Sequence, residues 1–213
     1  MFKKFDKNQT FRPKKSLPKG SKQHTLHKTA KARIKDQSLK NAVKLPDGED
    51  VNMWMSVNTV DFFNQVNLLY GSMSEICTNE SCPVMSAGEK YQYYWADGVK
   101  VKTPEKVSAP VYVDKLMEWV SEQLDDESVI PTTTDSFPAN FKDTMKNIYR
   151  RLFRVYAHLY HGHLAQIKQQ GEDEHFMSCL NHFAAFVFEF ELVDYKEMAP
   201  LADVLKTFLE PVA

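Results

Sequence analysis

Residues 148–164 read IYRRLFRVYAHLYHGHL, and the apolar spacing of this stretch decides the fold class. Ile148, Leu152, Val155 and Leu159 recur four, three and four apart, the stripe of an amphipathic helix with one face in a core. Arg150, Arg151 and Arg154 sit about one turn apart on the same helix, so their guanidinium groups can converge. His158, His161 and His163 follow one turn on. One helix thus offers a core face, a cationic middle and an imidazole-rich end.

Upstream, Val51, Trp54, Val57, Phe62, Phe63, Val66, Leu69 and Tyr70 supply the apolar mass of a helix expected over residues 50–70. Glu49 and Asp50 lie at its start, where carboxylates complement the helix dipole, and Gly71 is its expected stop. Ser108 and Pro110 open another helix, carrying Val113, Leu116, Met117, Val120 and Leu124. The central helix is expected over residues 139–170, with two more over 173–192 and 201–209. Residues 72–109 differ: Cys77 and Cys82 fall in a loop, and YQYYW, Asp97-Gly98 and VKVK read as a β-hairpin. The sum is an all-α helical bundle with one small hairpin. A basic arm over residues 1–44, with short helices, precedes a helical core domain over 45–213.

Composition narrows the function. Hydrophobic residues at 43% of 213 can fill a core, and only 7 glycines argue against a glycine-rich nucleotide loop. Three cysteines without secretory context speak against a disulfide framework and for a metal site or free thiols in a reducing compartment. The opening MFKKFDKNQTFRPKK has no apolar signal region, and no run reaches the roughly 20 apolar residues of a membrane span. A cytosolic or nuclear protein is expected. Cys179, with His175 and His182, lies on an apolar helix and reads as a buried structural thiol; no nucleophile–base pair or nucleotide motif asks for catalysis. Residues 1–44 carry fourteen Lys or Arg against two Asp, a balance of +12. Residues 45–213 carry thirteen against twenty-six Asp or Glu, a balance of −13. A basic arm on an acidic body can fold back onto it or compete with a basic partner; the alternative is a solvated tail. Thr10, beside a proline and several cations, is a candidate kinase site whose new charge would alter how the arm lies.

Cys77 and Cys82 with two helical histidines make a Cys2His2 set suited to structural zinc, against the alternative of buried thiols and partly exposed imidazoles. At about 100° per residue, His158 and His161 are about 60° apart and are the natural pair, whereas His158 and His163 are about 140° apart. Arg150, Arg151 and Arg154 suit a phosphate group, or form a solvated face. Glu49, Asp50 and Asp61, taken alone, read as first-turn acids and a helix-face carboxylate.

NTVDFFNQVNLLYG, CTNESCPVMSAGEKYQYYWADG, RLFRVYAHLYHGH and LVDYKEMAPL together resemble the Mob/phocein family of kinase co-activators, nearest the branch that partners nuclear Dbf-two-related and LATS-type kinases in Hippo and mitotic-exit signalling. The resemblance spans most of the chain. It implies a four-helix core, no enzymatic activity, and structural zinc on Cys77, Cys82, His158 and His163, which displaces His161. It implies a phosphothreonine pocket at Arg150, Arg151 and Arg154 for an autophosphorylated Hippo/Ste20-like kinase. It implies that Glu49, Asp50, Trp54, Asp61 and His182 bind the basic N-terminal regulatory segment of the downstream kinase, and that Thr10 is phosphorylated. A monomer in the cytoplasm, with nuclear, spindle-pole or division-site pools, is expected, without nucleic-acid binding. The other reading is a phocein-like scaffold that binds phosphopeptides or kinase/phosphatase assemblies without activating a kinase. Two positions depart from the family pattern: Arg33 stands where close relatives carry a second phosphorylatable threonine, and Met53 where they carry a glutamate.

Overall fold

Ser21 accepts a hydrogen bond from the His24 N–H and caps the first helix, α1 (Lys22–Asp36). The computed structural model describes residues 20–132, 134 and 136–209. A short α2 (Leu39–Ala42) follows. Asp50 caps α3 (Val51–Met73) by accepting from the Met53 N–H at 2.9 Å. This helix runs past Gly71, the expected stop, because Gly71 keeps helical geometry and its carbonyl accepts from the Ser74 N–H.

The two-stranded antiparallel sheet lies one segment earlier than the Asp97-Gly98 signal suggests. β1 (Ser86–Ala87) pairs with β2 (Tyr91–Gln92) around Gly88, whose φ of +67° suits the turn. Asp97-Gly98 does form a turn, but the Asp97 carboxylate accepts the N–H groups of Val99 and Val101, each at 2.8 Å. Those donors are then unavailable to a ladder, and the flanking chains meet at an isolated Trp95–Glu105 bridge and at Val101 O, which accepts from the Asp97 and Gly98 N–H groups.

Ser108 caps α4 (Ala109–Asp125). Then come α5 (Phe141–Gln169) and α6 (Asp173–Phe190), which ends on Glu191 in the left-handed region at φ +54°. The tail folds into α7 (Tyr195–Met198), a 3-10 turn (Ala199–Leu201) and α8 (Lys206–Leu209), more broken than the single helix expected over 201–209. Pro200 lacks the N–H that a continuous helix would use there.

The long helix α5 is the centre of the bundle. It packs chiefly on α3, and also on α4, α6 and β1. Its stripe of Ile148, Leu152, Val155 and Leu159 is buried, as the spacing requires. An aromatic cluster locks α3, α5 and α6 together: Phe62 meets Phe183 edge-on at 5.4 Å and Tyr149 stacks on Phe186 at 5.6 Å. Helix α1 is mostly polar, but Leu26 and Ala30 enter the same core and the Gln23 amide donates to the Pro131 carbonyl at 3.0 Å. No described helix is long and apolar enough to cross a membrane.

Candidate metal centre and docking surfaces

Cys77 and Cys82 lie in the loop between α3 and β1, and helical-type turns aim both thiols inward. The Cys77 N–H donates to Met73 O at 2.8 Å and the Cys82 N–H to Thr78 O at 2.9 Å. Across from them, α5 presents His158 and His163, both buried. Cys77 Sγ stands 3.4 Å from His158 Nε2, and Cys82 Sγ stands 3.4 Å from His163 Nε2. All four ligand atoms lie within 4.8 Å of one another. A zinc tetrahedron with its usual Zn–S and Zn–N lengths has S···N edges of about 3.6 Å, so the donor set fits such an ion. These four residues are positioned to hold a metal ion.

His161, the partner favoured by angular spacing, turns away: its Nε2 lies 2.6 Å from the Pro200 carbonyl oxygen and joins α5 to the 3-10 turn. His158 and His163 span their angular gap by reach, their rings meeting edge-on at 5.2 Å. Ser86 O lies 2.8 Å from His158 Nδ1 and accepts its proton, which leaves the Nε2 lone pair facing Cys77. Burial pushes both imidazoles down, His163 to about 4 with help from His158, so each ring stays neutral at neutral pH and keeps one nitrogen free to bind a metal. Burial pushes the Cys77 thiol up, a penalty that a coordinated cation reverses. Cys179 is a buried thiol on α6, 3.7 Å from His175.

The three arginines gather on one side of α5. The Arg151 guanidinium lies over Trp119 at 4.4 Å and Trp95 at 5.0 Å and donates to Ala96 O at 2.7 Å. Arg154 lies over Tyr93 at 4.9 Å and donates to Tyr112 Oη and Glu197 Oε2, each at 3.2 Å. Arg150 donates to Asn147 Oδ1 at 2.8 Å. Burial lowers the Arg151 pKa, and the charges of Arg154 and Arg150 push it the same way. Burial opposes the charge of Arg154 too, but Tyr112 and Glu197 outweigh it and hold the group cationic. Each arginine keeps one buried N–H without a partner among the described residues: Arg150 Nε, Arg151 Nη1 and Arg154 Nε. Those three nitrogens are buried, so it is the convergence of three sterically held cations, and not these donors, that would suit an oxyanion ligand.

Two of the acidic residues, Glu49 and Asp61, are already engaged by α1. Lys22 Nζ lies 3.7 Å from Glu49 Oε2, and His27 Nε2 lies 2.9 Å from Asp61 Oδ1. Asp50 serves as the α3 cap. Trp54 is fully buried, its indole N–H donating to Val43 O at 2.9 Å, so it supports this surface from below and presents no face to a partner. Met53 is buried as well, where a carboxylate would be costly. Arg33, also on α1, donates to Asn41 O at 2.8 Å and lies 6.0 Å above the Trp54 ring. Thr10 lies outside the described residues.

His182 packs on Phe62 at 4.8 Å, and burial pushes its pKa down to about 4 against the opposing pull of Asp61. The unfolded chain therefore binds a proton at His182 that the folded chain refuses. Stability is lost as pH falls from about 6.5 toward 4, worth about 2 kcal/mol at pH 5. Urea unfolding at pH 7.5 and 5.0 checks this: His182→Leu is expected to lose about 2 kcal/mol less than wild type between the two. An equal loss in both proteins removes His182 as the cause.

Residues 31–201 match the Mob1/phocein family. The chain is 56% identical over 208 residues to MOB kinase activator-like 1 homolog B of Dictyostelium discoideum, covering 96% of each chain. It is 53% identical over 203 residues to MOB kinase activator-like 1A of Arabidopsis thaliana, covering 95% of this chain and 94% of that one. A similar match, 51% over 202 residues, joins it to MOB kinase activator-like 1A of Medicago sativa subsp. falcata, with 94% of each covered. With the match running from α1 into the 3-10 turn and taking in both thiols and both imidazoles, the chain belongs to the Mob1/phocein family.

Proposed function

We propose that this protein is a non-catalytic adaptor and co-activator of a protein kinase of the nuclear Dbf-two-related/LATS type, carrying structural zinc on Cys77, Cys82, His158 and His163. The observation that carries the reading is the family match over residues 31–201, with near full-length relatives named as kinase activators. Two surfaces give it a mechanism. Glu49 and Asp61 would receive the basic N-terminal segment of the downstream kinase. The arginine cluster would take the phosphothreonine of an autophosphorylated Hippo/Ste20-like kinase, for which the three cations held on one side of α5 speak.

Lys22 and His27 hold the same two carboxylates that a basic segment would need. The arm is therefore a competitor, and phosphorylation at Thr10 would shift its charge toward release. Calorimetric titration of the kinase's basic segment tests this, run into full-length protein before and after phosphorylation at Thr10. Binding is expected in both states, about tenfold tighter after phosphorylation, since a coupling of about 1.4 kcal/mol corresponds to that factor. A parallel assay should show the kinase's activity rising on addition of the protein. Neither binding nor activation, with folded and zinc-loaded protein, would transfer the reading to a phocein-like scaffold.

A further inference from the structure

The two histidines of the metal centre are not held alike. His158 has an outer partner, the Ser86 carbonyl, on Nδ1. His163 directs Nε2 at Cys82, so its proton belongs on Nδ1 when Nε2 is to bind metal. That Nδ1 is buried and has no hydrogen-bond partner among the described residues. A buried donor left unmade is costly, and ligating histidines almost always place their second nitrogen on an acceptor.

One buried acceptor nearby is also unused. Gln166 Oε1 has no partner among the described residues, and Gln166 lines the same groove, of about 440 Å³, as His158, His163 and Cys82. Gln166 follows His163 by three positions on α5, a spacing that sets Cβ atoms about 5–6 Å apart on neighbouring turns. We propose that Gln166 is the positioning residue of the metal centre: its side-chain oxygen accepts the His163 Nδ1–H, fixes that tautomer and aims the Nε2 lone pair at the ion. The inference rests on the metal reading of Cys77, Cys82, His158 and His163. It explains why the fourth ligand can come from five residues along the helix: the carbonyl of β1 orients one ring and an amide from the next turn of α5 orients the other.

The test uses full-length protein loaded with zinc and a chromophoric chelator as competitor. Gln166→Leu, similar in size and without an acceptor, is expected to weaken zinc about 10–100-fold. Gln166→Glu, which keeps an acceptor, should hold zinc at least as well as wild type. Gln169→Leu, exposed on the same helix, should change nothing. Nitrogen-15 spectra of the zinc-loaded histidines give the second readout: a protected His163 Nδ1–H signal in wild type and Gln166→Glu, exchange-broadened in Gln166→Leu. If Gln166→Leu binds zinc within twofold of wild type, or lowers metal-free stability while leaving zinc affinity unchanged, the positioning role is wrong. If Cys82→Ser binds zinc as wild type does, the metal reading itself falls and the positioning role with it.

Discussion

Cys82→Ser is expected to abolish stoichiometric zinc and to lower the melting temperature by about 10 °C or more. Cys82 is the better thiol to change, because it is only partly buried and serine is nearly isosteric, whereas Cys77 is a core residue whose loss also disturbs packing. A metal at this site would link the α3–β1 loop to α5, two segments 81 residues apart at each Cys–His contact. Structural zinc in small peptides is worth about 10–16 kcal/mol, but only part of that is at stake here. The loop has other anchors, among them Ala109 N–H to Cys82 O at 3.0 Å and Met85 N–H to Val107 O at 2.9 Å. If about 4 kcal/mol is lost, a chain of this size melts about 8–16 °C lower. Wild type stripped by a chelator should melt where Cys82→Ser does, and the chelator should leave the variant unmoved. A stripped wild type with an unchanged melting temperature would show that the four side chains hold the loop without a metal.

The parts of this protein readable in its sequence are those written in periodicity. The α5 stripe announced itself because four apolar side chains share one face, and α4 followed the same rule, whereas α3, buried on most sides from Met53 to Thr59, showed itself by apolar mass. The Cys and His identities of the metal centre were also legible, since few chemistries use two thiols and two imidazoles. Which histidine completes the set was not legible from spacing. Angle around the helix favoured His161, but direction is decided by acceptors far away in the chain: Ser86 O claims one nitrogen of His158 and Pro200 O claims His161. The hairpin was displaced for a similar reason, a carboxylate at Asp97 capturing the ladder's donors.

The relation between arm and body was half legible. The +12 and −13 balances suggested contact, but charge totals do not say which pairs form. Helix α1 has only a few buried residues, so its docking rests on Leu26, Ala30 and Gln23, with His27 and Lys22 choosing Asp61 and Glu49. Trp54 shows the opposite limit. The apolar pattern counted it in the helix's buried mass while the resemblance implied a kinase contact, and in the structure its indole N–H donates to an internal carbonyl and the ring sits in the core.

Arg154→Ala is expected to weaken a phosphothreonine peptide about 30-fold or more while leaving the affinity for a basic kinase segment within threefold of wild type. Hydrogen bonds to charged groups contribute about 1.5–3 kcal/mol, and removing a guanidinium from a phosphate site forfeits at least one. Arg154 is the arginine to change because its setting makes it the most fixed of the three: Tyr112, Glu197 and the Tyr93 ring hold it. Pre-set geometry means that little side-chain entropy is lost on binding. Arg151→Ala is a poorer test, since it also empties the space between Trp95 and Trp119. The cost of Arg154→Ala in the free protein is modest: Glu197 loses its partner but is about one-third exposed and can take water instead. Arg154→Lys separates charge from shape, keeping the cation and losing the fork, and should fall between the alanine variant and wild type. The unphosphorylated peptide should bind neither form. Equal losses for phosphopeptide and basic segment would mean that α5 itself was disturbed. No loss for the phosphopeptide would mean that the cluster braces the Trp95–Trp119 side of the bundle and binds no phosphate.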